Sequence, residues 1–294
     1  MATIKYAVPY TRSFRHYDTV DEVVFDFVKD ANMLDILSAV NLKHDQRIIV
    51  DMSNINSEDL EKYIPSMEML MRKHPKCTFS LDFMNHKSQV SALKNKNIPF
   101  MFATFVRSLD TAYAMINMGA TDLYIVEELA FNLKSLQHFR EQSVMIRLFP
   151  DIAQCGRGSD GLIPEVTKFW IRPEDVQLYA DYVDVLEIYH KDNVSTIYEI
   201  YNRKQWLGNI QDIVYDFKDE LPNTGIAPHF GQARLNCRKQ CLENKCSLCL
   251  DIYNLAKTFN QANIEIIKKR DKNSNLNKRT LSPQEEEIVE RLEN

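Results

Sequence analysis

Four short segments decide how this chain is read: Thr78-Phe79-Ser80-Leu81-Asp82-Phe83, Phe100-Met101-Phe102-Ala103-Thr104-Phe105, Asp122-Leu123-Tyr124-Ile125-Val126-Glu127 and Val144-Met145-Ile146-Arg147-Leu148-Phe149. Each is rich in β-branched and aromatic residues, and they start 22 residues apart. That interval holds one strand, one short helix and two tight loops. Outward from these four, Ile4-Tyr10, Arg47-Met52, Lys168-Arg172 and Val183-Tyr189 have the same character, which makes eight expected strands.

The stretches between them have helical spacing. Asp21 to Val40 carries apolar residues at intervals of three and four and is expected to be a helix. Ser57 is placed to cap a helix running to Met71, with acidic residues in its first turns. Ser108 precedes a helix over Leu109–Met118 that Gly119 can end, and a longer helix is expected from Val194 toward Leu221. Eight strands alternating with helices predict a (β/α)8 barrel over residues 1–221, with an open doubly wound sheet as the runner-up.

The whole chain has 294 residues and a net charge of -5, so it lacks the basic field of a general nucleic-acid binder. Only seven glycines are present, and no phosphate-binding glycine loop follows a strand. No apolar run approaches the roughly 18 residues of a membrane span, and the first residues do not read as a signal peptide. The expected location is the cytoplasm, with no membrane partner.

Barrel enzymes gather their chemistry at the C-terminal ends of the strands. Near those ends stand Asp51, Asp82, Thr104, Glu127, Arg147, Arg172 and Glu187. Unpaired charges there are costly to bury, so they either pair with one another or meet a ligand. Asp51, Asp82, Glu127 and Glu187 are the candidates for acid/base or metal work. Arg147 and Arg172, with Thr104, are the candidates for holding a polar or anionic substrate, unless the arginines simply neutralise Glu127 and Glu187. His86 and His190, just past two strands, are further acid/base candidates.

After residue 221 the composition changes. Cys237, Cys241, Cys246 and Cys249 fall within thirteen residues, which in a reducing compartment favours a metal over disulfides. Four thiolates suit tetrahedral zinc, and a 4Fe-4S cluster accepts the same set. Residues 222–267 are therefore expected to form a metal-binding element with a helix, and 268–294 a basic linker with a short capped helix. Arg234, Arg238, Lys239 and Lys245 around the cysteines, and the linker from Lys268 to Arg279, form two basic patches that could hold nucleic-acid phosphates. The terminal helix also suits a homo-oligomer contact.

The barrel pattern, Gly119-Ala120-Thr121-Asp122-Leu123-Tyr124-Ile125 and Asn236-Cys237-Arg238-Lys239-Gln240-Cys241 together resemble the collagenase-like peptidase family. The resemblance implies a barrel with a cysteine-bound iron-sulfur cluster, in a family that includes hydroxylases and RNA modifiers. Family members spread their cysteines over the last strands, whereas four are bunched here and only Cys155 lies elsewhere near the mouth. Two readings follow: a barrel enzyme with a charged mouth and an accessory metal element, or a scaffold whose metal element and tail bind nucleic acid or protein.

Overall fold

Alternation within the strands sets the architecture. In Glu22-Val23-Val24-Phe25-Asp26 and Arg47-Ile48-Ile49-Val50-Asp51, one alternate set is wholly apolar and the other runs charge, apolar residue, charge. Successive strand side chains point to opposite faces, so the apolar set faces the helices and the mixed set faces the barrel interior. The computed structural model describes residues 3–235, except 30, 31, 44, 127, 128, 131, 153–168, 190, 216, 218–220, 222 and 227–229. Beyond 235 it describes only 251, 254–256 and 258.

The eight strands are β1 (Lys5–Pro9), β2 (Glu22–Asp26), β3 (Arg47–Asp51), β4 (Cys77–Leu81), β5 (Phe100–Phe102), β6 (Asp122–Tyr124), β7 (Met145–Leu148) and β8 (Val185–Glu187). All pair in parallel, in the order β5-β4-β3-β2-β1-β8-β7-β6. The two end strands are joined less regularly, by a parallel bridge between Val106 and Ile125 and by a Thr121 amide donating to the Phe100 carbonyl at 2.9 Å. The sheet is therefore a nearly closed barrel, as the spacing predicts.

Around it lie α1 (Met33–Ser38), α2 (Ser57–Lys73), α3 (Phe83–His86), α4 (Val90–Asn95), α5 (Leu109–Asn117), α6 (Leu133–Glu141), α7 (Val194–Arg203) and α8 (Phe230–Leu235). Ser108 caps α5 through its hydroxyl, and Gly119 follows the helix with φ 84°, a left-handed turn that glycine adopts without steric cost. The main core lies between the outer face of the sheet and this layer of helices.

Three expected elements differ. Residues 21–40 are not one helix: Glu22–Asp26 is a strand, followed by a six-residue helix. A parallel strand buried on both faces is apolar at most positions, so Val23, Val24, Phe27 and Val28 mimic a helical stripe. Conversely, Lys168–Arg172 is not a strand of the sheet, because β7 pairs directly with β8 and leaves no place between them. Of this segment, Ile171 donates to the Pro150 carbonyl at 3.1 Å, and the chain then enters the 3-10 turn Pro173–Tyr179. The helix expected from Val194 toward Leu221 stops at Lys204, which is left-handed at φ 57°.

The chain beyond the barrel docks on this 3-10 turn. Arg172 grips Asp175 at 2.5 and 2.9 Å, and its guanidinium lies 5.5 Å from the Phe230 ring centre. Gly231 sits so close to the Asp175 carboxylate that a Cβ there would collide with it. The cysteine segment and the linker, with their expected metal and nucleic-acid contacts, lie outside the described residues. No described helix is long and apolar enough to cross a membrane.

Candidate functional site

The inward-facing residues stack in three levels, as barrel interiors do. The lowest level is charged. Arg147 of β7 is fully buried and donates to Asp122 at 2.7 Å, to Glu187 at 2.9 Å and to Glu22. Arg47 of β3 reaches the same Asp122 carboxylate with two donors, at 2.7 and 2.6 Å, and also donates to the Thr78 hydroxyl. Burial alone would raise the pKa of Asp122, but the two guanidiniums outweigh it and hold it well below the usual carboxylate range. Above this floor, Ile49, Met101, Tyr124 and Phe149 form a separate apolar cluster, with Val24 and Phe105 against it.

The highest level is a cavity of about 220 Å³ at the C-terminal ends of the strands. Among the described residues, Asp26, Asp51, Glu187 and Lys191 supply its charges, and Phe105, Tyr124, Phe149 and Tyr189 its aromatic wall. Tyr124 and Phe149 stack in parallel at 5.2 Å, and Phe149 meets Tyr189 edge-on at 5.6 Å. Asp51 stands beside Asp26 in the register of β2 and β3. Burial first, and Asp26 second, push the Asp51 carboxyl above its ordinary value against the opposing Ser53 hydrogen bonds and the more distant Lys191.

Glu187 joins the floor to the cavity. One carboxylate oxygen, Oε2, accepts from the Tyr124 hydroxyl at 2.7 Å and from Arg147 at 2.9 Å. Among the described residues nothing donates to the other, Oε1, and the residue is 8% exposed. Burial, with Glu22 and Asp51 nearby, raises its pKa against the opposing Arg147 and Tyr124. Because Oε2 is taken by two donors, a proton on this carboxyl belongs on Oε1.

Of the residues expected to do chemistry, Asp51 and Glu187 are brought together here, and the others are placed differently. Arg147 lies one level below the cavity, saturated by carboxylates, rather than on its rim. Arg172 is buried against Asp175 and Phe230, outside the mouth. Asp82 caps α3 by accepting from the Asn85 amide at 2.8 Å, and Thr104 accepts from the Phe83 amide at 2.9 Å. Neither lines the cavity, because the inward set of that segment is Met101, Ala103 and Phe105, one position out of step with Thr104.

His86 is fully buried and structural: its Nδ1 accepts from the Asp82 amide, and its Nε2 lies 2.8 Å from the Ile55 carbonyl. Arg234, expected on a basic patch, is only 3% exposed and lies 5.1 Å from the ring centres of both Trp170 and Phe230. Cys77 is buried on β4, and loss of hydration pushes its thiol up to about 12, so it behaves as a packed apolar side chain. Glu127, His190, Cys155, Arg238, Lys239 and Lys245 lie outside the described residues. Among the described residues, no group of three or more potential metal ligands converges.

The sequence reading missed Asp26, Glu22 and Asp122 as interior charges, and Phe105, Phe149 and Tyr189 as a wall. The signal was available for most of them: Val24 and Asp26 repeat the alternation of Ile49 and Asp51, and Phe149 stands two residues beyond Arg147.

No protein-family model matches this chain, and no curated protein does either. What the fold and the cavity define is an eight-stranded α/β barrel with acidic and aromatic side chains converging at the C-terminal ends of its strands.

Proposed function

We propose that the protein is a barrel enzyme that performs acid/base chemistry on a small polar substrate in this cavity, with Glu187 as proton donor and Asp51 as proton acceptor. One observation carries the reading. Glu187, on β8, lines the cavity and has its Oε2 pinned by Tyr124 and Arg147, while among the described residues nothing donates to its Oε1. A carboxyl whose pKa is raised by burial and which lines a cavity suits a general acid.

Asp51 differs in ways that suit the complementary role. It is less enclosed, it accepts from the Ser53 amide at 2.9 Å, and Lys191 draws it toward the ionised form. Two carboxyls with different surroundings in one cavity are the usual basis for dividing acid and base duties. Among the described residues, the cation on the cavity wall is Lys191, and it is paired with Asp26 at 3.1 Å. A negatively charged substrate is thus less well served than a neutral or positive one.

The cysteine segment enters the same reading as an accessory metal element, supported by its thiol spacing alone; zinc, or the 4Fe-4S cluster that the family resemblance implies, is the proposed occupant. Metal and sulfide analysis of the anaerobically purified chain distinguishes the two, and finding neither metal removes the element from the account.

The catalytic proposal is tested by incubating the full chain with a cell-extract metabolite mixture and following compounds by mass spectrometry. At least one compound is expected to be converted by the wild type and left unchanged by Glu187→Gln and Asp51→Asn, both folded by circular dichroism. Conversion by both variants at the wild-type rate, or by none of the three proteins, would overturn it.

A further inference from the structure

We propose that the ligand of the mouth is a small organic cation: a primary ammonium group carried on a compact apolar body no larger than a single ring. This rests on the assignment of the mouth as the active site, and it adds the chemical class that the site selects.

The first support is charge. Asp26 and Asp51 face one cavity with Lys191 as the described cation among them, and the Lys191 ammonium is already engaged by Asp26. The two arginines beneath add no positive charge to offer, because Arg147 and Arg47 are bound by Glu22, Asp122 and Glu187. The second support is a carboxylate. Asp51 lines the cavity and, among the described residues, takes hydrogen bonds from Ser53, so it can still accept from a ligand donor. An ammonium has three donors and no acceptor, so it can serve the Asp51 and Asp26 carboxylates together and leave the proton on Glu187 Oε1 for the acid role.

The third support is the wall. Phe105, Phe149 and Tyr189 sit above Tyr124 on the cavity lining, and aromatic faces attract a cation and accept an apolar body. The Tyr124 ring already has the Arg147 guanidinium 5.6 Å from its centre, so the same aromatic column that meets a cation below offers its upper rings to the ligand. Size supplies the limit: at about 220 Å³ the cavity is smaller than pockets for drug-sized ligands, roughly 300–1,000 Å³.

The test uses three probes of one shape, benzylamine, benzyl alcohol and benzoate, titrated into the full chain by calorimetry and by chemical-shift mapping. Benzylamine is expected to bind and to shift signals of Phe149 and Tyr189, with benzyl alcohol weaker by about tenfold or more and benzoate not binding. Asp51→Asn is expected to weaken benzylamine by about tenfold, and Lys191→Gln, which removes a competing surface cation, to strengthen it. Equal binding of the alcohol or of benzoate, no binding by any probe, or an Asp51→Asn variant with unchanged affinity would overturn the proposal. The two readings fail separately: amine preference with full turnover in both carboxyl variants removes the catalytic reading alone, and turnover loss without amine preference removes this one alone.

Discussion

The floor and the mouth of this barrel are built from the same residue types on the same strands, and they behave in opposite ways. Arg47 and Asp51 are both on β3, and Glu22 and Asp26 are both on β2. In the floor, three carboxylates share two guanidiniums, and Asp122 is held ionised. In the mouth, among the described residues, neither Asp51 nor Glu187 Oε1 has such a partner, and both groups are pushed toward their protonated forms. A charged residue inside a barrel thus becomes a structural tie or stays open to a ligand according to how completely its level pairs it, not according to its type.

This contrast can be broken most forcefully from below. Arg147→Met leaves Asp122, Glu22 and Glu187 without their shared partner in a sealed interior, so a loss of about 3–5 kcal/mol is expected in urea unfolding. If Arg147 were a substrate anchor at the rim, the same change would alter binding and leave stability nearly intact. Next in size, Tyr124→Phe removes one hydrogen bond to Glu187 Oε2, with an expected cost of about 1 kcal/mol. It should also raise the Glu187 pKa further, since the Tyr124 hydroxyl favours the ionised carboxyl.

A change in the mouth should act in the opposite direction. The folded-state pKa of Asp51 is raised above its ordinary 3.8, so its ionisation increasingly disfavours the fold as pH climbs from that value through the folded one. Asp51→Asn is therefore expected to unfold at a higher temperature than wild type near pH 7, with the gain vanishing below about pH 3.8. A variant less stable than wild type near neutrality would show that Asp51 belongs with the paired floor. The smallest effect is expected from Lys191→Gln: the Lys191–Asp26 pair is 58% and 65% exposed, and its loss should change stability by less than about 0.5 kcal/mol.

Much of the fold is legible in the sequence, for a physical reason. Parallel strands must be short, apolar and evenly separated by crossover helices, and the 22-residue interval from Thr78 to Val144 records that requirement. Strand identity is less legible. Glu22–Asp26 and Lys168–Arg172 have similar composition, and only the pairing of β7 with β8 decides which of them enters the sheet.

The site is legible in part. Asp51 and Glu187 can be named from alternation within their strands, whereas Arg147 is assigned to the wrong level because sequence does not give the stagger between neighbouring strands. Thr104 fails by one position: with strands of period two, a single step exchanges the inward and outward faces, and Ala103 and Phe105 take its place. Asp26 could not be found once its segment was read as a helix.

The most direct measurement is a carboxyl carbon-13 NMR titration of the full chain, with Glu187 and Asp51 assigned through their Gln and Asn variants. The account predicts that both mouth groups titrate above the ordinary values of 4.5 and 3.8, while Asp122 stays ionised far below 3.8. Titration of Glu187 and Asp51 at or below those ordinary values would contradict it, because neither carboxyl would then be held ready for proton transfer.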